Sequence, residues 1–284
     1  MTGATVRDAL DAAVDALTAA GVEEPRLDAE LLLGDAMGRE RAALIADGGE
    51  EVPASAGRLF GELVRRRLRR EPVAYILGRK GFRSIELKVD ARVLIPRPET
   101  ELLVELALEL EPGEVLDVGT GSGAIALAVA DELAECQVTA ADTSQRALEV
   151  ASANASRLGL ADRVHFVEGT LPEASFDLVL ANLPYVAERD WSSLQPEVTQ
   201  WEPREALLAG PDGLDAYRSF IPECGRAFPS HGGKSSAAVA VEVGEGQAEA
   251  VGEMMREAGF GAIEVRRDLA GIERVVLGRV GGAA

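Results

Sequence analysis

Val115-Leu116-Asp117-Val118-Gly119-Thr120-Gly121-Ser122-Gly123-Ala124 is the stretch on which the reading of this chain turns. A short apolar run reaches three alternate glycines, and an alanine-rich helical pattern, Ala124–Ala134, follows. Glycine there lets the backbone turn tightly and approach a ligand, while the helix start offers N–H groups with no intrahelical partner. A dinucleotide site spaces its glycines G-x-G-x-x-G and binds pyrophosphate on those groups. Here the spacing is G-x-G-x-G, preceded by the acid Asp117. A carboxylate beside the loop suits a ligand whose end carries an ammonium, such as the methionine end of S-adenosylmethionine.

Working outward, the chain beyond Pro112 alternates strand and helix, which predicts a mostly parallel sheet. The expected strands are Val115–Val118, Val138–Ala141, Val164–Val167, Phe176–Ala181, Ala237–Val243, Ala262–Val265 and Arg274–Leu277. The last two are joined through Gly271 by a link too short for a crossover, so they must be antiparallel. Asp142 follows the second strand, 23 positions beyond Gly119, where a carboxylate accepts both ribose hydroxyl protons. That position serves NAD and S-adenosylmethionine equally. The third strand ends in Glu168-Gly169-Thr170-Leu171, where an adenine edge is expected. Ser230–Ser236, rich in Gly and Ser, reads as a loop before the fifth strand.

The fourth strand runs into Asn182-Leu183-Pro184-Tyr185. Ligands of open α/β sheets bind outside the carboxyl ends of the strands, so this tetrad faces the methyl donor. An amide nitrogen is a poor nucleophile because its lone pair is delocalised into the carbonyl. Displacement at a sulfonium carbon needs no strong base beforehand; it needs the NH2 group held with its lone pair aimed at the methyl. The Asn182 side-chain oxygen and the Leu183 carbonyl are the acceptors expected for its two protons, with Tyr185 stacking on the flat group. Such positioning supplies on the order of 7–11 kcal/mol in favourable cases. The pattern selects planar nitrogen substrates, amide or ring amine alike.

Upstream, residues 5–70 read as helices: Thr5 caps a pattern of Val6, Leu10, Val14 and Leu17, and a second stripe runs through Leu27, Leu31 and Leu32 to Gly38. Leu59, Leu63 and Leu68 mark another helix, closed by Pro72. The basic run Arg65, Arg66, Arg67, Arg69 and Arg70 is either a solvated helix face or a contact surface. From Phe82 to Ile95 the alternation of Ile85, Leu87 and Val89, then Val93 and Ile95, predicts a β-hairpin, and Pro96-Arg97-Pro98-Glu99-Thr100 breaks into the next helix. The expected organisation is a helical domain over 1–78, a hairpin connector over 79–100 and a catalytic domain over 101–284.

The net charge is −19, a field that repels a phosphate backbone, so no direct nucleic-acid contact is expected. Arg7, Asp8, Asp11 and Asp15 interrupt the first twenty residues, which argues against a signal peptide or membrane span. Cys136 and Cys224 lie far apart and form neither a disulfide framework nor a metal motif; reduced core cysteines of a cytoplasmic protein are expected. His165 and His231 have no partner at ligand spacing, so no metal is expected.

The chain resembles the bacterial release factor glutamine methyltransferases (the HemK/PrmC family) over almost its full length. The matching stretches are Glu71–Gly78, Phe82, Val93–Glu101, Asp117–Gly123, Asn182–Tyr185, Glu202-Pro203 with Ala206-Leu207, Gly213-Leu214 with Tyr217-Arg218, Asp268–Gly271 and Arg274–Arg279. The resemblance implies a seven-stranded Rossmann-like class I methyltransferase sheet behind a small helical N-terminal domain that recognises a peptide release factor. It implies transfer from S-adenosylmethionine to the glutamine amide of that factor's Gly-Gly-Gln motif. A monomer is expected. Gly119, Thr120, Gly121, Ser122 and Gly123 would line the methionine end, Asp142 the ribose and Leu171 the adenine, while Asn182, Leu183, Pro184 and Tyr185 would hold the glutamine. The family tetrad is usually Asn-Pro-Pro-Tyr; Leu183 keeps the carbonyl and gives up proline's rigidity. Asn-Leu-Pro-Tyr also occurs in rRNA adenine dimethyltransferases, which makes an N6-adenine rRNA or DNA methyltransferase the alternative. Charge, helical module and the Pro96–Thr100 connector weigh against it. An oxidoreductase lacks a persuasive hydride-transfer acid here, and the intact cofactor pattern opposes a silent binding module.

Overall fold

A computed structural model describes residues 4–227 and 237–280. The expected loop Ser230–Ser236, with His231, lies outside the described residues. By its contacts the chain forms two units, residues 1–79 with 195–201, and residues 80–194 with 202–284.

The first unit is helical. Thr5 caps the helix Val6–Ala19 in a reciprocal box with Asp8, the Asp8 N–H donating to Thr5 Oγ1 at 3.2 Å and the Thr5 N–H to Asp8 Oδ2 at 3.0 Å. Helices follow at Pro25–Met37, which ends on left-handed Gly38, at Arg41–Ala46, Ala54–Leu68 and Val73–Leu77. Val6, Leu10, Leu17, Leu32, Leu33, Leu44, Phe60, Leu63 and Ile76 form its core. Leu31, Leu59 and Leu68 are exposed instead. The apolar stripes expected through them are rotated, because Ala29, Leu33, Ala56 and Phe60 supply the inward faces.

Most of the basic run is neither a free solvated face nor an open contact surface. Arg67 is buried, donating to Asp28 Oδ2 at 2.6 Å and pairing with Glu197 Oε1 at 2.5 Å. Arg70 closes on Glu197 with two bonds, at 2.8 and 2.6 Å, and Arg66 grips Glu71 at 2.9 and 2.5 Å. Burial pushes the Asp28 carboxyl up, and Arg67 pulls it only part of the way back. For Glu197 the arginine hydrogen bonds outweigh burial and hold the carboxyl below its usual range. Glu197 sits on the short helix Pro196–Trp201, which thereby joins the first unit.

The second unit opens with β1 (Arg79–Phe82) and β2 (Ile85–Lys88), a two-stranded sheet turning at Arg83-Ser84. The expected second arm is not a strand: Val93 and Ile95 are buried in irregular backbone. Their segment is held by a side chain, since the Ile95 N–H donates to Glu202 Oε2 at 3.1 Å and Arg97 Nη2 to Glu202 Oε1 at 2.5 Å.

Seven strands then build the main sheet: β3 (Glu114–Val118), β4 (Gln137–Asp142), β5 (Val164–Glu168), β6 (Leu178–Ala181), β7 (Ala238–Glu242), β8 (Phe260–Arg267) and β9 (Glu273–Val280). Their order is β5-β4-β3-β6-β7-β9-β8, parallel throughout except that β9 runs antiparallel to β7 and β8. The class I methyltransferase sheet expected from the sequence is therefore present, hairpin finish included. β8 is longer than Ala262–Val265 because its edge position tolerates alternating charge at Glu264 and Arg266, which discourages further pairing. β3 beyond Glu114, β6 and β7 are buried on both faces, as a parallel sheet covered by helices requires, and are apolar apart from Asp117 and Glu242; Val118, Val179, Val239, Tyr217 and Phe220 lie in that core.

Register decides what meets at the carboxyl edge. Val118 pairs with Ala141 on one side and Ala181 on the other, and Ala181 pairs with Val241. The next residues along, Gly119, Asp142, Asn182 and Glu242, therefore emerge side by side at the point where strand order reverses, the place for a ligand in such sheets.

Candidate active site

The loop after β3 keeps its shape through glycine and one buried acid. Gly119, Gly121 and Gly123 all have positive φ. A Cβ on Gly119 would stand 3.5 Å from the Asn182 carbonyl oxygen, and one on Gly123 would sit 2.8 Å from Leu127 Cδ1 and 3.3 Å from Ala151 Cβ. Beneath the loop, Asp117 Oδ2 accepts from the Thr120 hydroxyl at 2.6 Å and from the Ala126 N–H at 3.1 Å, satisfying a first-turn donor of the helix Ala124–Glu132. Asp117 Oδ1 is buried without a hydrogen-bond partner. Burial raises this carboxyl to about 7; the two hydrogen bonds act against that and the charge of Asp142 adds to it. Asn154 ties the loop to the hairpin, donating to the Ser122 carbonyl at 2.9 Å and exchanging bonds with the Lys88 backbone at 2.8 and 3.0 Å.

The amides of this loop are largely committed. Gly119 and Thr120 donate to the Ala141 carbonyl at 2.9 and 3.0 Å, Gly121 to Asp142 Oδ2 at 2.9 Å and Gly123 to the Thr120 carbonyl at 2.8 Å. A pyrophosphate cradle needs those N–H groups for its ligand. The adjoining cavity of about 390 Å³ carries Asp142, Glu205 and Glu223 on its wall; its one arginine, Arg92, is paired to Asp90 at 2.8 Å. An acidic, phosphate-averse chamber of this size fits a nucleoside bearing an amino-acid tail and a sulfonium, and so fits S-adenosylmethionine.

Of the residues expected at the site, Gly119, Gly121, Asp142, Asn182, Leu183 and Pro184 line this chamber together. Thr120, Ser122 and Gly123 do not: the first two are buried, and Gly123 caps the following helix. Leu171 packs against the core, while its neighbours Gly169 and Thr170 reach the wall. Tyr185 turns to a second cavity of about 410 Å³, shared with Arg189, Asp212 and Gln247. Its carbonyl accepts from Gln247 Nε2 at 3.0 Å, and a Cβ on Gly213 would come within 2.3 Å of the same oxygen. The chain just beyond the tetrad is pinned by Val186 N–H to Leu207 and Ala209 N–H to Val186, at 2.8 and 3.0 Å.

Three side chains that the sequence reading passed over complete the picture. Asn182 Nδ2 donates to Thr100 Oγ1 at 3.0 Å, the Tyr185 hydroxyl donates to Glu242 Oε1 at 3.4 Å, and Glu202 holds the strap that carries Thr100. Burial raises Glu242 to about 7, partly offset by hydrogen bonding from Thr100 and Tyr185, with Glu99 adding to the rise. Burial likewise drives the Tyr185 phenol up, well away from ionisation. The signal for Glu242 was legible: it is the one acid in the apolar run Ala237–Val243. Nothing local distinguished Thr100 from a helix cap.

Comparison with known proteins adds the following. Residues 8–78 match the PrmC N-terminal domain family and residues 115–201 a methyltransferase domain family. A release factor glutamine methyltransferase of Caulobacter vibrioides is 41% identical over 96% of this chain and 96% of its own length. One from Moorella thermoacetica is 43% identical over 96% of this chain and 98% of its own. Among solved structures, a methyltransferase of Pyrococcus furiosus superposes with a TM-score of 0.51 at 16% identity, covering 72% of this chain and 92% of that one, a likeness of fold alone.

Proposed function

The chain belongs to the release factor glutamine methyltransferases, and on that premise we propose how its residues divide the work. The activity is methyl transfer from S-adenosylmethionine to the side-chain amide nitrogen of a glutamine in a peptide chain release factor, the glutamine of the Gly-Gly-Gln motif. The observation that supports this placement best is the meeting of the glycine loop, Asp142 and the tetrad on one cavity wall.

S-adenosylmethionine supplies the electrophilic methyl on a sulfonium. Gly119 and Gly121 give it room, Asp142 accepts from the ribose hydroxyls, and Gly169 with Thr170 border the adenine. Asn182 Oδ1 and the Leu183 carbonyl accept the two protons of the substrate NH2, which turns the nitrogen lone pair toward the methyl. Pro184 stiffens this corner, and Tyr185 anchors it from behind through Glu242 and Gln247. The nitrogen gains the methyl and sheds one proton to solvent; the sulfur keeps the electron pair of the broken bond. Each acceptor is worth roughly 1–3 kcal/mol if its loss leaves a buried donor unpaired. The helical unit serves recognition of the release factor, and a release-factor substrate places the reaction in the cytoplasm. No described helix is long and apolar enough to cross a membrane.

The test is methyl transfer from labelled S-adenosylmethionine to a purified release factor, followed by mapping of the labelled residue. Label on the Gly-Gly-Gln glutamine, lost in Asn182→Ala, is the expected result. Label on rRNA or DNA with none on the factor would overturn it.

A further inference from the structure

The geometry points to Asn154 and Glu202 as positioning residues that pin the two ends of one strap, residues 89–97, and so set how tightly the chamber holds S-adenosylmethionine. The inference rests on the reading of that chamber as the cofactor site. It starts from a shortage of backbone order. The strap follows β2 as irregular backbone, yet Arg92, Val93 and Leu94 form part of the chamber wall. Asp90 shapes one turn inside it, its carbonyl accepting from the Val93 N–H at 3.1 Å and its Oδ1 from the Arg92 N–H at 3.0 Å. A wall built of such backbone depends on what holds its ends.

At the leading end stands Asn154, fully buried on the helix Gln145–Leu158. Its Oδ1 accepts from the Lys88 N–H at 2.8 Å, while its Nδ2 donates to the Lys88 carbonyl at 3.0 Å and to the Ser122 carbonyl at 2.9 Å. These three bonds fix the amide's orientation, because turning it over would set an oxygen against two carbonyls. At the trailing end stands Glu202, whose side chain is 1% exposed. Its Oε2 accepts from the Ile95 N–H at 3.1 Å and its Oε1 from Arg97 Nη2 at 2.5 Å. Neither anchor is local: they lie 66 and 107 positions from the backbone they hold.

Each anchor also belongs to another part of the chamber. Asn154 reaches Ser122, next to Gly121, which lines the wall. Glu202 leads directly into Pro203, Glu205 and Ala206, which line it too. Glycine loop, strap and the 203–206 segment are thus joined in series by two buried side chains, and a ligand in the chamber meets all three. A hydrophobic residue would fill either position without desolvating polar atoms; what the polar ones add is a fixed shape for irregular backbone. With either pin removed the wall samples more positions, and the ligand must reorder it on binding. That cost falls on cofactor binding and not on methyl transfer, whose groups sit in the tetrad after β6.

Calorimetry with S-adenosylhomocysteine, run well below the melting temperature of every variant, reads the effect directly, and steady-state kinetics with a release factor partitions it. Asn154→Leu and Glu202→Met each delete one pin at similar size. Both are expected to weaken S-adenosylhomocysteine binding roughly 5- to 50-fold and to raise KM for S-adenosylmethionine in step. At saturating cofactor, kcat should stay within a few-fold of the parent. Asn154→Ser and Glu202→Gln keep part of each pin; they should lie closer to the parent, and they stand in for the harsher variants should those not fold. The two pins removed together should cost less than the product of the single losses, since a strap already free at one end has less order left to lose. Lower melting temperatures with parental S-adenosylhomocysteine affinity would show a purely structural role and overturn the inference. Losses that simply multiply, or a loss confined to kcat, would overturn it as well. A parent chain that binds no S-adenosylhomocysteine would instead overturn the reading of the chamber on which the inference rests.

Discussion

Replacing Asp117 by asparagine should make the protein more stable at alkaline pH. Asp117 is fully buried, and its carboxyl is held from 3.8 up to about 7, chiefly by burial and further by the charge of Asp142. Between those values the folded chain binds a proton that the unfolded chain has released. Stability from this group is therefore greatest below the lower value and is lost as pH rises through about 7. The full loss is about 4 kcal/mol, of which about 2 kcal/mol has been incurred by pH 5.5. Asparagine carries no charge to bury and still accepts from Thr120 and Ala126. Its NH2 then occupies the position of Oδ1, which has no partner, at a cost of roughly 1–3 kcal/mol at any pH. The variant should match its parent near pH 5.5 and exceed it by about 1–3 kcal/mol at pH 8.5. Glu242 titrates in the same range but is common to both proteins and cancels in the difference. Urea unfolding of the two proteins at both pH values measures the gap, and both lie clear of the isoelectric point near 4.6. A gap that fails to widen between pH 5.5 and 8.5 would refute the claim that Asp117 is a desolvated carboxylate.

Two further outcomes concern other parts of the molecule. Arg67→Met should destabilise the helical unit by about 3–5 kcal/mol, because it strands the buried carboxylate of Asp28 and leaves Glu197 to Arg70 alone; an unchanged urea midpoint would contradict that. Asp142→Ala should weaken S-adenosylhomocysteine binding roughly 10- to 100-fold by calorimetry, since it removes the ribose acceptor and unties the Gly121 and Ser144 amides. Binding that survives intact would move the ribose elsewhere.

The sheet was legible because its signals are local: apolar runs of strand length, glycines at their ends, and a link through Gly271 too short for anything but a hairpin. The glycine loop, Asp142 and Asn182 were legible for the same reason, each lying at or just past the end of a strand. What escaped depends on long-range packing. Val93 and Ile95 alternate like a strand, yet Glu202, more than a hundred residues away, takes the Ile95 amide that a partner strand would have used. Leu31 and Leu59 fit a helical stripe, but neighbours one position along face the core. Leu171 was assigned by analogy of position, and its neighbours Gly169 and Thr170 line the wall. Tyr185 was expected at the substrate and instead faces a neighbouring cavity while braced on Glu242, a partner 57 residues further along the chain.

The helix Pro196–Trp201 has a consequence for anyone who would take the protein apart. Its Glu197 is clasped by Arg67 and Arg70, so the first unit is stitched from two separate lengths of chain, with the tetrad encoded between them. A scissile site engineered at residue 79 would not liberate a self-sufficient enzyme. It would leave one fragment with Arg67 and Arg70 deprived of Glu197 and the other trailing an acidic hook, and mixing the fragments should draw them back together through that clasp.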